Sequence, residues 1–201
     1  MPKIKIEKYQ DKYFKDMTDL IVSSFKSKLC HRQKLTPDDI KNILYTTWDI
    51  PATDNGYLHY VVKKEEKVVG VILIRCGEIQ KSNKKVPVFE LFRRYGFINM
   101  LLLTYKLSIL EVYKPEDCYI EHIAVDEAMR GTGIGEMLIK HAEKELKERG
   151  FSTLSLAVAK DNPAKHLYDR VGFQDINSIS SRFKGYFTGI RHWFFMRKRL
   201  I

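Results

Sequence analysis

Apolar residues recur along this chain with a period that switches between two and about four, and each switch marks an element. Over residues 3–9 polar and apolar positions alternate, with Ile4 and Ile6 on one face, which predicts a strand. Tyr13, Met17, Leu20, Ile21, Phe25 and Leu29 then follow helical spacing. Thr36-Pro37-Asp38-Asp39 reads as a helix start: a hydroxyl cap, a proline in the first turn, and carboxylates at the positive dipole end. That helix should run to about Trp48. Residues 57–63 and 68–76 form a hairpin pattern joined by the charged turn Lys64-Glu65-Glu66-Lys67, and residues 78–85 read as a solvated hairpin or loop. A helical segment over about 89–112 follows, with Leu91, Tyr95, Ile98, Leu102, Tyr105 and Ile109 near one face.

From there strands and helices alternate. Residues 119–125 make a compact apolar strand. Ile134, Leu138, Ala142 and Leu146 recur every four residues up to Gly150, placed as a helix C-cap. A strand over 153–159, a short helix over 163–171 ended by Gly172, and two strand candidates, one after Phe173 and one near 192–199, complete the pattern. The alternation predicts an α/β fold, a mixed sheet with crossover connections flanked by helices. No repeat, low-complexity run or Pro/Gly/Ser-rich linker divides the 201 residues, so a single domain over 1–201 is expected.

Charge narrows the partners. Thirty-five Lys and Arg against 25 Asp and Glu leave +10, which favours an anionic partner: a phosphate-bearing cofactor, nucleic acid or a membrane surface. No apolar run is long enough to span a bilayer and no signal core begins the chain. Cys30, Cys76 and Cys118 lie far apart in sequence without a CxxC pair, which predicts simple thiols, no metal site and a cytoplasmic location.

The candidate chemistry sits at Arg130-Gly131-Thr132-Gly133-Ile134-Gly135, between an apolar strand and an amphipathic helix. Glycines allow positive φ and close backbone approach. The free amides and dipole of the helix start together form a cradle for a pyrophosphate, or simply a tight turn. The loop lacks the Lys-Ser/Thr pair of a Walker sequence, and its glycines read GxGxG rather than GxGxxG. About 27 residues later comes Asn162-Pro163-Ala164-Lys165-His166-Leu167-Tyr168-Asp169-Arg170-Val171-Gly172-Phe173.

With Val125-Asp126 and Arg130-x-x-Gly133-x-Gly135, these residues make the chain resemble the GCN5-related N-acetyltransferase (GNAT) superfamily over roughly 117–175. The resemblance implies a sheet that splays open between the strands at 119–125 and 153–159, with acetyl-CoA in the gap. It implies that the backbone of Ile123, Ala124 and Val125 pairs with the pantetheine arm. Arg130 would open a loop whose amides, Gly131, Thr132, Gly133, Ile134, Gly135 and Glu136, hold the pyrophosphate. Asn162 would reach the pantetheine or phosphate side. It further implies direct attack of a primary amine on the thioester in a ternary complex, with the Ile123 amide facing the carbonyl oxygen and Tyr168 protonating the departing sulfur.

Glu121 and His122 interrupt the apolar strand. Strict alternation puts Glu121 on the face of Ile123 and Val125 and His122 on the other. By resemblance Glu121 is the base or amine-positioning residue; a structural ion pair is its alternative, and a satisfied core histidine is the expectation for His122. Two other functions stay open: a non-catalytic acyl-CoA-binding or regulatory module, and nucleic-acid binding through the tail residues Arg182, Lys184, Arg191, Arg197, Lys198 and Arg199, which have no acidic neighbour in sequence. The acceptor amine would be framed by the connections at about 29–36 and 178–191, both basic, with no acidic funnel visible. That favours a carboxylate- or phosphate-bearing amine or a protein N-terminus. The 89–112 segment walls the acceptor site or forms a homodimer face.

Overall fold

The computed structural model describes residues 4–51, 53, 56–77, 84–110 and 117–200. Its frame is one seven-stranded mixed sheet in the order β1-β2-β3-β4-β5-β7-β6. The strands are β1 (Ile4–Lys8), β2 (Tyr57–Lys64), β3 (Lys67–Cys76), β4 (Cys118–Val125), β5 (Thr153–Ala159), β6 (Gln174–Ser180) and β7 (His192–Arg199). All neighbours run antiparallel except β4 and β5, which are parallel and joined through the crossover helix α5 (Ile134–Glu148). That crossover is the connection a parallel pair requires.

Each sheet face has its own layer. Ile134, Leu138, Ala142 and Leu146 of α5, with Tyr168 and Val171 from the region of α6 (Ala164–Arg170), bury against Leu58, Tyr60, Ile72, Ile74, Cys118, Ile120 and Leu156. On the opposite face α1 (Phe14–Leu29) sets Met17, Leu20 and Ile21 on Val61, Val71 and Ala124. A third apolar cluster joins α1 to α2 (Pro37–Thr47), α3 (Val88–Tyr95) and α4 (Phe97–Leu110) through Val22, Leu29, Ile43, Leu91 and Leu103. The Thr36 hydroxyl accepts from the Asp39 amide, and Asp39 accepts from the Thr36 amide, closing a capping box at the start of α2.

Two sequence expectations are corrected. The single helix over 89–112 is two, broken at Gly96, whose φ of 82° ends α3; residues 111–112 lie outside the described residues. The last inter-strand connection holds an unforeseen helix, α7 (Arg182–Thr188), capped by Ser181 and ended by Gly189 at φ 77°. Cys76 and Cys118 are free thiols, as expected; antiparallel register makes them cross-strand partners, 42 residues apart in sequence and with Sγ atoms 2.6 Å apart. In the tail, Lys198, without an acidic neighbour in sequence, pairs with Glu143 of α5 at 2.6 Å, because β7 is an interior strand. Most of the 78–85 segment, 78–83, lies outside the described residues.

Candidate active site

The sheet is paired along almost every seam, and the exception locates the site. Between β4 and β5 the register contains Cys118↔Leu154 and Tyr119↔Ser155 only; from Ile120 onward the strands diverge, while β5 stays paired with β7 through Ala159. Two strand edges therefore face each other across an open V. One occupant of that V is a side chain: the hydroxyl of Tyr119 accepts from the Ala157 amide.

A bulge on β4 shapes the vertex. Opposite β3 the register steps from Leu73↔His122 to Ile74↔Ile120, so Glu121 is the extra residue. The step inverts the alternation. Cys118, Ile120, Ile123 and Val125 face α5, whereas His122 and Ala124 face α1. Glu121 does not share the face of Ile123 and Val125, as strict alternation requires. It forms an ion pair at 3.2 Å with Arg75, a buried residue one position past Ile74 and so on the opposite face of β3. Glu121 is thus ion-paired, and it stands at the vertex.

His122 packs among aromatic rings but is not the satisfied histidine expected: its Nε2 is shielded from solvent without a hydrogen-bond partner. Its ring lies 6.0 Å from Trp48 and 6.1 Å from His59, which is itself stacked on Tyr9 at 4.1 Å. Burial, with His59 nearby, pulls His122 down to about 3, so it stays neutral and is a poor base.

Past β4 the chain turns through Asp126, whose side chain accepts from the Ala128 amide and pairs with Lys67 at 2.6 Å. Arg130 follows, exposed and 4.0 Å from Glu127. Thr132 donates its hydroxyl proton to the Met129 carbonyl, tightening the loop. Gly131 and Gly133 have φ of 77° and 87°, and nothing in the protein approaches within 4 Å of where their Cβ atoms would be. These glycines serve backbone conformation and leave the outer side of the turn open. Gly135 differs: a Cβ there would meet Leu167 Cδ2 at 2.8 Å, so it lets α5 approach α6. The first amides of α5, from Ile134 to Glu136, have no intrahelical partner, and no side chain caps them. Glu136 turns its carboxylate to Lys140 and Arg170. Those two cations lie beside the cradle.

From the far side, α6 delivers Tyr168, buried at 6 % exposure and edge-on to Phe173. Burial, reinforced by nearby Tyr119, pushes its phenol well above the ordinary value, so it carries its proton at neutral pH. Tyr119 is pushed up to about 12 by burial and Glu121, with Arg75 opposing. Tyr119 thus stands within electrostatic reach of both Tyr168 and Glu121, and the three converge at the vertex. Asn162 lies outside that group; its Oδ1 accepts from the Ala164 amide at the start of α6. Arg75 and Tyr119 were missed by sequence reasoning, because neither lies in a motif and only the register brings them to Glu121.

The opposite wall comes from helices. In the connection after α1, His31 lies against Gly189 and Arg32 (φ 49°) stacks its guanidinium 4.3 Å over Tyr186 of α7. Tyr105 of α4 meets Phe187 of α7 at 4.8 Å, so the two helices pack together. Lys106, 1 % exposed, donates to the carbonyls of Leu29 and His31 and anchors the connection. Elsewhere, a cleft of about 590 Å³ between α1 and the start of β3 is lined by five carboxylates, Asp16, Asp19, Glu66, Asp126 and Glu127, and by Lys67 and Arg130, a net acidity that the sequence pattern did not reveal. Lys67 at that end of β3 is eight residues from Arg75, so the cleft is separate from the vertex.

Comparison with known proteins agrees with this geometry. The model of the acetyltransferase (GNAT) family matches residues 15–173. A [ribosomal protein bS18]-alanine N-acetyltransferase of Haemophilus influenzae is 32 % identical over 62 residues, 31 % of this chain and 42 % of that one. A streptothricin acetyltransferase of Streptomyces lavendulae is 38 % identical over 78 residues, 38 % of this chain and 41 % of that one. The chain thus spans less than half the length of the curated relatives it matches. Among solved structures, an N-acetyltransferase from Staphylococcus aureus Mu50 superposes with a TM-score of 0.59 at 14 % identity, covering 99 % of each chain, a likeness of fold. The splayed parallel pair, the glycine turn into a crossover helix and the match over 15–173 make this chain a member of the acetyltransferase (GNAT) family.

Proposed function

We propose that the protein is an N-acetyltransferase that moves an acetyl group from acetyl-CoA to a primary amine by direct attack in a ternary complex. The observation that carries the reading is the open V between β4 and β5, continuous with the uncapped amides at the start of α5. An extended amide-bearing arm can pair with the β4 edge at Ile123, Ala124 and Val125, and phosphates can meet the amides from Gly131 to Glu136. Arg130, and Asn162 through its amide nitrogen, border that path. The residues fit the group: nothing in the protein fills the outer side of the turn at Gly131 and Gly133.

Bound acetyl-CoA supplies an activated acetyl thioester; the chain supplies orientation and proton handling. Glu121 takes up the proton that the amine nitrogen sheds as it bonds to carbonyl carbon. The Ile123 amide donates to the carbonyl oxygen as charge gathers there. Tyr168, kept protonated by burial, gives its proton to sulfur as the carbon–sulfur bond breaks. Arg75 fixes the direction of the Glu121 carboxylate. A panel of amines with acetyl-CoA, read by thiol release, tests the proposal; calorimetry with CoA reads binding separately.

One observation favours a second reading. A Glu121 carboxylate committed to Arg75 would suit a non-catalytic acyl-CoA-binding module that keeps the cradle without turnover. Tight CoA binding with no thiol release for any amine would select that reading.

A further inference from the structure

The face of the sheet turned away from α5 carries a polar row across four strands. Register aligns Arg75 with Tyr119, Tyr119 with Ser155, and Ser155 with Arg197, and paired residues project to the same face. Met196 is fully buried toward α5, so Trp193, Phe195 and Arg197 take the opposite side of β7. Tyr119 and Phe195 are buried, at 5 % and 3 %, yet belong to none of the three apolar clusters.

The charges on this face and on the helices beside it are unbalanced. Glu121 is matched by Arg75. Arg197 has its Nε shielded from solvent without a hydrogen-bond partner. Lys28, half-buried on α1, places its ammonium 4.9 Å over Phe25 and 5.2 Å over Trp193, and burial pulls it down to about 8. Lys184 of α7 is likewise lowered by burial. Among the described residues no carboxylate pairs with Lys28, Arg32, Lys184 or Arg197. Both amide atoms of Gln33, in the connection after α1, are also shielded without partners. Arg32 is exposed, but Lys28, Lys184 and Arg197 are partly withdrawn from water, and such cations gain from an anionic partner.

We infer that the acceptor is a small amine bearing a second, anionic group, a carboxylate or a phosphonate-like oxyanion, which Arg197 holds while the amine meets Glu121. Lys28 lines the approach between α1 and β7 and draws the anion in. Two strand spacings across and two residues along separate Glu121 from Arg197, about 12 Å between their Cα positions, so a short chain between amine and anion spans the side chains. The inference rests on the acetyltransferase reading, and it names the acceptor's chemical class.

The test needs first only the wild-type protein. Amino acids of increasing length, glycine to 6-aminohexanoate, are compared with the carboxamide of each and with the matching aminoalkylphosphonates, by thiol release at saturating acetyl-CoA. At the preferred length the acid exceeds its carboxamide in kcat/KM about tenfold or more, the worth of a charge-assisted hydrogen bond. Whichever of carboxylate and phosphonate leads identifies the anion. Arg197→Gln drives the acid-to-amide ratio toward one; Lys28→Met, at a half-buried position tolerant of an apolar chain, lowers the same ratio less. Carboxamides matching or exceeding the acids at every length, with CoA released, overturn the inference and leave the acetyltransferase reading standing. If no amine releases CoA, that reading falls. Calorimetric titration of the acids and carboxamides into the CoA-bound protein then still decides the anion preference: tighter binding of the acids upholds it, and equal binding ends it.

Discussion

The two sides of the vertex are built by different means. The cofactor side, β4 through α6, is nearly contiguous in sequence: a strand, a glycine turn, a helix, a strand and a short helix, packed on one apolar cluster. Its special conformations sit on glycines, at Gly131 and Gly133, where a positive φ costs nothing. The acceptor side is assembled from segments remote in sequence: the connection after α1, Arg75 of β3, α4, α7 and β7. It is tied by aromatic contacts, a buried lysine and a strained non-glycine residue, Arg32 at φ 49°. A chemistry shared across a family can stay on the contiguous side while the acceptor changes with the other, because replacing a loop there leaves the main core untouched.

The largest effect should come where the halves meet. Tyr168 belongs by packing to the cofactor side, Glu121 by its ion pair to the acceptor side. Tyr168→Phe keeps the ring and its contact with Phe173 but loses the proton, so kcat should fall about 10²- to 10⁴-fold with CoA affinity little changed. Glu121→Gln should act on the acceptor's kinetics, and the double variant should lose far less than the product of the two. Full kcat in Tyr168→Phe, with chemistry limiting turnover, would remove Tyr168 as the acid and dissolve the division of labour.

The contrast also explains what the sequence made legible. The order of elements along the chain, the glycine turn and the start of α2 were readable, because each is encoded by neighbours a few residues apart. The bulge at Glu121 was not: an extra residue leaves no local trace, and only its pairing with β3 shows that the alternation inverts. Lys106 was visible merely as a polar residue interrupting an apolar run; its function as a donor to Leu29 and His31 depends on a contact 75 to 77 residues away. Helix α7 was hidden because its residues, Arg182-Phe183-Lys184-Gly185-Tyr186-Phe187-Thr188, include a helix-disfavouring glycine, and packing on α4 overrides that preference.

Glycine substitutions sharpen the contrast at the next level. Gly133→Val and Gly150→Val place a β-branched residue at almost the same φ, 87° and 81°, at opposite ends of α5, with open space around both. Each should cost about 1–3 kcal/mol of stability from backbone strain. Only Gly133→Val should also weaken CoA binding, about tenfold or more, because it turns the uncapped amides and sets a side chain where phosphates approach. Calorimetry and melting on the pair check this; equal affinity losses, or none, would detach the turn from the cofactor.

Acid should loosen the packing of α1 on the sheet, where His59 and His122 lie. His59 is held at about 4 and His122 at about 3, both below the ordinary 6.5, chiefly by burial. Each is therefore neutral in the fold and charged in the unfolded chain between those values and 6.5. The stability tied to their neutrality is complete above about pH 6.5 and is lost as pH falls through that window. The slope is at most about 1.4 kcal/mol per pH unit for each histidine. Denaturant unfolding at several pH values should show it, and His122→Asn, which cannot titrate, should flatten it. An unchanged slope in that variant would place the acid sensitivity elsewhere.

The smallest effect asks whether the acceptor side can be disturbed alone. Thr36 ends the connection after α1, and its hydroxyl and amide are both committed to Asp39, whose carboxyl is held low by those bonds. Leu35, next to it, is buried in the cluster that joins α1 to α2. Thr36→Ala removes the hydroxyl and leaves the amide bond, so α2 should remain while its first turn frays, at a cost of about 1 kcal/mol. No part of the cap touches β4, the glycine turn or α6, and sites without shared partners act independently. CoA affinity should therefore hold to within the error of calorimetry, while acceptor KM rises severalfold as Arg32 and Gln33 lose their fixed approach. A matched loss in CoA affinity would show the two sides moving as one body, and the acceptor wall would then be part of the cofactor's own frame.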